Sequence, residues 1–226
     1  MTTKPVIGLF LLIALCLGTP QAAAAAEMAF RLVPLGTTNF CGRSCVEIIA
    51  AEGEITDQTP EQFLAFASSN VGASQARNVL FLDSPGGNVV GALRFGRMLR
   101  KLGTAVVVAR VIPGDGVQAG GIAAARCMSA CVYALMGGKK RVVPPESQVG
   151  IHRMFRNELE RDPAARISSM RTIFAPDSMV DALSRYSGSM GISPQLVAEA
   201  ERISPTTVHI VTPSEMVRWR LGSPRF

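Results

Sequence analysis

The chain has 226 residues, 48% of them hydrophobic and 18% charged. That balance excludes a disordered or fibrous chain and supplies enough apolar residues for a sizeable core. The formal charge of +6 is dispersed among acids, as in "RVIPGDGVQ", "GKKRVV" and "HRMFRNELERDPAAR". No basic helix interleaved with stacking aromatics occurs, which argues against nucleic acid as a partner.

Residues 1–26 differ from the rest. "MTTKP" carries one lysine, "VIGLFLLIALCLG" is an uncharged apolar run, and "TPQAAAAAE" offers small-residue cleavage sites ending at Ala26. This order predicts a secretory signal peptide and a periplasmic or secreted protein, the run being short for a membrane span. An uncleaved N-terminal anchor is the alternative, and the one route to a membrane. Lipid attachment at Cys16 is disfavoured by the bulky Leu15 before it. Residues 27–226 then read as one domain.

That domain holds Cys41, Cys45, Cys127 and Cys131, an even set in an exported chain, which predicts disulfides with three connectivities open. Bridges running between the two Cys-x3-Cys pairs are expected. A zinc site is disfavoured, because His152 and His209 are the chain's two histidines and no second knuckle follows.

In chain order, "CVEIIAAEGEIT" (45–56) reads as a strand and "TPEQFLAFASSN" (59–70) as a helix opened by Thr59 and Pro60. "RNVLFLDS" (77–84) is a buried strand broken by "PGG". "NVVGALRFGRMLRKLG" (88–103) repeats apolar residues at three and four and ends on Gly103. "TAVVVARV" (104–111) is another buried strand. This alternation predicts parallel crossovers in an α/β domain. "IPGDGVQAGGIAAA" (112–125) reads as a mobile flap. Its glycines open no helix and no P-loop lysine follows, so no nucleotide or other cofactor is expected. "SACVYALMGG" (129–138) is a predicted helix headed by Ser129, and "KRVVPP" and "SQVGIHRMF" are short strands. Residues 162–203 are expected to be mainly helical with a break at Pro176. "TVHIVTPSEMVRWRLG" closes with a strand and a short helix.

Three segments carry chemistry. "DSPGG" (83–87) joins a strand to a helix, and its paired glycines suit either a structural turn or backbone N–H donors facing an anionic oxygen. Ser129 suits either a helix cap or a nucleophile, with the Ala130 N–H as a second oxyanion donor. His152, in "VGIH", is structural or the base that a serine hydroxyl needs near neutrality.

"LDSPGGNVVGALRFGRMLR", then Ser129 heading a small-residue helix closed by "GG", then "VPPESQVGIH", resembles the proteolytic subunit of Clp protease, within the crotonase-like superfamily. "ALSRYSGSMGISPQLVAEAERI" and "TPSEMVRWRLG" are similar to that family's C-terminal half, so the resemblance spans residues 45–222. It implies an α/β fold of stacked ββα units with a twisted, mostly parallel sheet flanked by helices. It implies Ser129 as nucleophile, His152 as general base, and Gly86, Gly87 and Ala130 around the oxyanion. It also implies a homo-oligomer formed through a protruding segment between His152 and about Arg185. The exported chain points to a periplasmic branch.

Two departures from the pattern stand out. The family's third triad member is an aspartate just before the last strand, where "SPTTVHIVT" (204–212) holds no carboxylate. Thr206, Thr207, His209 or Glu201 are the candidates to replace it. The cysteines around Ser129 are the other departure, expected to pin the serine loop to the Cys41–Cys45 segment. The expected function is a serine hydrolase, a peptidase acting on short or unfolded polypeptides. The alternative is a catalytically degenerate scaffold that binds peptides or proteins in the same groove. Crotonase-type acyl-thioester chemistry fits less well, since it needs no Ser–His pair.

Overall fold

The computed structural model describes residues 26–35, 45–70, 76–112, 121–162 and 167–225. The expected signal segment, Cys41 and the centre of the glycine-rich flap lie outside them.

The chain begins with β1 (Ala29–Leu35) and β2 (Val46–Glu52), followed by α1 (Thr59–Ser69), which has Pro60 in its first turn. β3 (Ala76–Asp83) leads into α2 (Val89–Leu102) and β4 (Ala105–Val107). β5 (Ala109–Ile112), β6 (Gly121–Ala124) and β7 (Arg126–Met128) precede the short α3 (Cys131–Met136). β8 (Lys140–Val142), β9 (Gln148–Ile151), β10 (Phe155–Asp162) and β11 (Ile167–Phe174) follow. α4 (Asp177–Ser189), α5 (Gln195–Ala200), β12 (His209–Ile210) and α6 (Pro213–Arg218) complete the described chain.

The main sheet has the order β1-β2-β3-β4-β8, with β1 antiparallel and the others parallel. Its central strand is buried on both faces: Leu80 and Leu82 enter the larger core, and Phe81 enters a second cluster with Ile48, Ala50, Val107 and Val142. A continuous apolar run suits such a strand, because neither face meets water. The larger core continues through an aromatic group of Phe30, Phe63 and Phe95, with ring centroids 5.1–5.7 Å apart. It also holds the whole of α3. α2 is bounded by ordinary capping chemistry: the Asn88 side chain accepts from the Gly91 N–H at 2.8 Å, and Gly103 closes it at φ 68°.

A second sheet, β12-β9-β7, stands at the carboxyl end of the first. β7 and β9 are parallel, with Cys127 opposite Val149, and a bridge from Ser84 to Cys127 ties the end of β3 to them. Three strand ends therefore finish side by side.

The structure corrects several expectations. Residues 104–111 form two strands: β4 belongs to the main sheet and β5 pairs antiparallel with β6. Residues 121–124, read as flap, are that partner strand. Residues 167–174, expected to be helical, form β11, paired with β10 from Phe155↔Phe174 onward. The alternation through Met170, Thr172 and Phe174 on one face, with Arg171 and Ile173 on the other, satisfies a ribbon's period of two. This ribbon occupies the segment expected to protrude. Among the described residues no helix is long and apolar enough to cross a membrane.

α6 is held by a capping box: Thr212 Oγ1 accepts the Glu215 N–H at 3.3 Å, and Glu215 Oε2 accepts the Thr212 N–H at 2.9 Å. Burial pushes the Glu215 carboxyl up, but bonds from the Thr212 N–H, the His209 ring and the Thr212 hydroxyl outweigh it, and the net shift is down. A carboxyl depressed in the folded state stabilises above its unfolded pKa and loses that contribution as pH falls through the folded value. Glu215→Gln is therefore expected to lower the urea midpoint at neutral pH, with the difference from wild type shrinking at about pH 3, below the ordinary carboxylate range.

Candidate active site

The three segments singled out in the sequence meet at the carboxyl ends of β3, β7 and β9. Open α/β sheets place their ligands outside such ends. The meeting follows from register. Met128 lies opposite Gly150, the Met128 N–H donates to Ser84 O at 3.0 Å, and the Ser129 N–H donates to Gly150 O at 2.8 Å. Ser129 thus leaves β7 beside the strand that ends in Ile151 and His152.

Ser129 has φ +55°, a left-handed conformation that non-glycine residues adopt at a cost of roughly 1–2 kcal/mol. It does not cap α3, one of the two roles the sequence left open for it. The N-cap position is Ala130, which makes no side-chain cap bond. The left-handed residue instead turns the chain from β7 into α3. The Ser129 side chain lines a cavity of about 250 Å³ together with His152, and its hydroxyl makes no hydrogen bond among the described residues. Val89, Val132, Met154, Phe155 and Leu196 form the apolar walls. A larger groove of about 590 Å³ continues from Gly87 and Val89 along the base of the β10–β11 ribbon to Pro176 and Met179.

The "SPGG" turn is clamped from outside. Ile55 N–H donates to Gly86 O and Asn88 N–H donates to Ile55 O, each at 2.7 Å. Gly86 and Gly87 have φ of +110° and +123°, which side chains rarely adopt. A Cβ on Gly86 would lie 2.7 Å from Met128 O and 2.8 Å from the Ser129 Cβ. The two glycines differ in hydrogen bonding. Gly86 N–H donates to the Ser84 hydroxyl at 3.1 Å. Gly87 N–H and Ala130 N–H have no acceptor among the described residues.

His152 follows β9 and stacks near Phe155, with ring centroids 5.7 Å apart. Its Nδ1 lies 2.8 Å from the Arg153 carbonyl oxygen. A carbonyl only accepts, so Nδ1 carries the proton and the Nε2 lone pair of the neutral ring stays free. None of the expected third members bonds this ring. Thr206 and Thr207 turn back onto Ser204, and His209 Nε2 pairs with Glu215 Oε2 at 2.9 Å. Glu201 reaches the chain beyond His152: its Oε1 accepts the Met154 N–H at 3.2 Å, and its Oε2 stands 3.6 Å from Arg153 Nε. The Arg153 N–H adds a bond to Ile203 O at 3.0 Å. The group on the imidazole is thus a backbone carbonyl, which no side-chain pattern could reveal.

The cysteine expectation is also corrected. Cys127 and Cys131 are bonded to each other, with Cα atoms 5.2 Å apart, rather than to the N-terminal pair. Cys45 is disulfide-bonded as well. The strand-to-helix reversal at Ser129 brings residues 127 and 131 within bridging distance. Among the described residues no group of three or more metal-ligating side chains forms.

The architecture is a Clp-protease-like α/β fold, with a largely parallel sheet flanked by helices. Among solved structures the chain resembles a serine-to-alanine mutant of the 1510-N membrane-bound stomatin-specific protease, with 18% identity and a TM-score of 0.50 over 76% of this chain and 74% of that one. A lysine-to-alanine mutant of the same protease, in complex with a substrate peptide, matches with 19% identity and a TM-score of 0.48 over 76% and 70%. No family model matches the chain, and neither does any curated protein.

The strain at Ser129 has a measurable consequence. Ser129→Gly is expected to raise unfolding free energy by about 0.5–1 kcal/mol, since glycine removes the left-handed cost but loses more backbone entropy. Ser129→Ala should leave it within about 0.5 kcal/mol of wild type. Gly86→Ala should lower it by about 2–4 kcal/mol through combined backbone strain and overlap. Denaturant titrations of the three variants check the order.

Proposed function

We propose that this protein is an exported serine hydrolase of peptidase type, in which Ser129 is the nucleophile and His152 the general base. The observation that carries the reading is the strained Ser129 turn opening into a cavity shared with an imidazole whose Nε2 is free. Strained backbone at a polar residue in a cleft is characteristic of functional sites. The fold shared with a stomatin-specific protease supports the peptidase class. The apolar N-terminal run and the bonded cysteines support export.

In the proposed reaction, His152 Nε2 takes the Ser129 hydroxyl proton as Oγ attacks the peptide carbonyl. The Gly87 and Ala130 N–H groups are the donors to the resulting oxyanion, being the unengaged pair, while Gly86 shapes the turn. The imidazolium then protonates the leaving amine, and water attacks the acyl-enzyme with His152 again acting as base. Ser129 and His152 are not hydrogen-bonded at rest, so the ring closes onto the hydroxyl when substrate fills the cavity. The Arg153 carbonyl holds the useful tautomer, as a triad carboxylate would, but contributes only a dipole to the imidazolium. Slower turnover than in a complete triad follows, by less than the roughly 10⁴-fold lost when the tautomer itself is wrong. The narrow site and its adjoining groove suit an extended chain, hence short or unfolded polypeptides, and a homo-oligomer built through the β10–β11 ribbon is part of the same reading.

A fluorophosphonate probe tests this. Wild type should be labelled at Ser129, Ser129→Ala not at all, and His152→Ala more slowly by about 10²–10⁴-fold. Absence of labelling in folded wild type would overturn the hydrolase reading in favour of a peptide-binding scaffold, which the lack of a carboxylate on His152 would then explain.

A further inference from the structure

We infer that the Cys127–Cys131 disulfide is a positioning brace for Ser129, holding the left-handed turn from which the hydroxyl reaches the cavity. The inference rests on the acyl-transfer reading above and adds to it two residues that do not touch substrate.

β7 ends at Met128 and α3 begins at Cys131, so Ser129 and Ala130 alone connect strand to helix. The bridge joins the last but one residue of the strand to the first residue of the helix, closing Ser129 inside a covalent ring. Both cysteines are fully buried, so the ring is anchored in the core and not at a free surface. Residues four apart would stand about 13 Å from each other in extended chain. Their 5.2 Å separation removes every such conformation.

The turn needs this restraint because the nucleophile has few others. The Ser129 hydroxyl has no hydrogen bond of its own among the described residues, so no polar partner holds it and the backbone sets the position of the Cβ from which Oγ projects. Two backbone bonds act on the residue, Ser129 N–H to Gly150 O at 2.8 Å and Val132 N–H to Ser129 O at 3.1 Å. Against them works the intrinsic preference of an L-residue for negative φ. Relaxation at Ser129 would move Cβ and rotate the Ala130 N–H, displacing nucleophile and oxyanion donor together. A covalent ring opposes that motion without adding a polar group to an apolar wall.

The test compares wild-type protein with two double variants, Cys127→Ala with Cys131→Ala and Cys127→Val with Cys131→Ala, the second refilling the sulfur volume. For a variant whose near-UV circular dichroism matches wild type, the fluorophosphonate labelling rate and peptide kcat are expected to fall about 10- to 100-fold. KM should stay within about twofold, because the groove is unchanged. Unchanged labelling and kcat, or a loss confined to KM, would overturn the brace while leaving the hydrolase reading intact. Failure of oxidised wild type to label would instead remove the hydrolase reading and the brace with it.

Should neither variant fold, the wild-type protein is titrated with dithiothreitol, each opened bridge giving two thiols and one oxidised reagent. Thiols at Cys127 and Cys131 are counted by mass spectrometry. Labelling that declines as this bridge opens, ahead of the near-UV signal, supports the brace. Labelling that persists with the bridge open, or disappears only with the near-UV signal, overturns it.

Discussion

The hydrogen bond from the Ser129 N–H to Gly150 O fixes more of the site than its size suggests. It is the last rung between β7 and β9, and it forms where the serine leaves the strand ladder for a left-handed turn. Because the β-ladder has a period of two, a slip of one residue between β7 and β9 would send the serine side chain to the opposite face. The bridge between Ser84 and Cys127 locks the third strand into the same register. Ser129, His152 and the glycine turn are thus placed by main-chain pairing, with no side-chain hydrogen bond between the serine and the histidine.

The imidazole is supported in a comparable way. A carboxylate behind a histidine fixes its tautomer and stabilises its charged form. The Arg153 carbonyl does the first fully and the second weakly. Its position depends on the tie between the 153–154 segment and the end of α5, made by Glu201 and Ile203 O. Glu201 therefore pairs with an arginine and satisfies a backbone N–H. Among the described residues no carboxylate, lysine or arginine lines the cavity around the ring. In the proposed mechanism such a wall suits an imidazole that accepts a proton briefly more than one held permanently in an ion pair.

Much of this was legible in the sequence, for identifiable reasons. The buried strand "VLFLD" and the amphipathic α2 with its Gly103 terminator follow from periodicity and capping. The order of "SPGG", serine and histidine placed the three segments in one site. Residues 167–174 were misread because short apolar patterns fit helix and strand alike, and pairing with residues 155–162 decided between them. The local Cys127–Cys131 bridge was missed because spacing alone does not show that the chain reverses between the two cysteines. Backbone groups were invisible: the Arg153 carbonyl, and the difference between an occupied Gly86 N–H and an unengaged Gly87 N–H.

These choices share one physical conflict. A side chain that lines a cavity at the end of a strand leaves the regular structure around it, and at Ser129 this takes the form of an unfavourable φ. The surrounding chain offsets that cost with groups that are buried and inflexible: the core helix α3, the clamped glycine turn and a covalent ring. Among the described residues the Ala130 N–H and Gly87 N–H have no acceptor, although unpaired donors weigh against folding when shielded from water. Gly87 is exposed, so water reaches its N–H, whereas Ala130 is buried. In the proposed reaction the oxyanion formed at Ser129 is the acceptor that both N–H groups lack, so the fold carries their unpaired cost before substrate arrives.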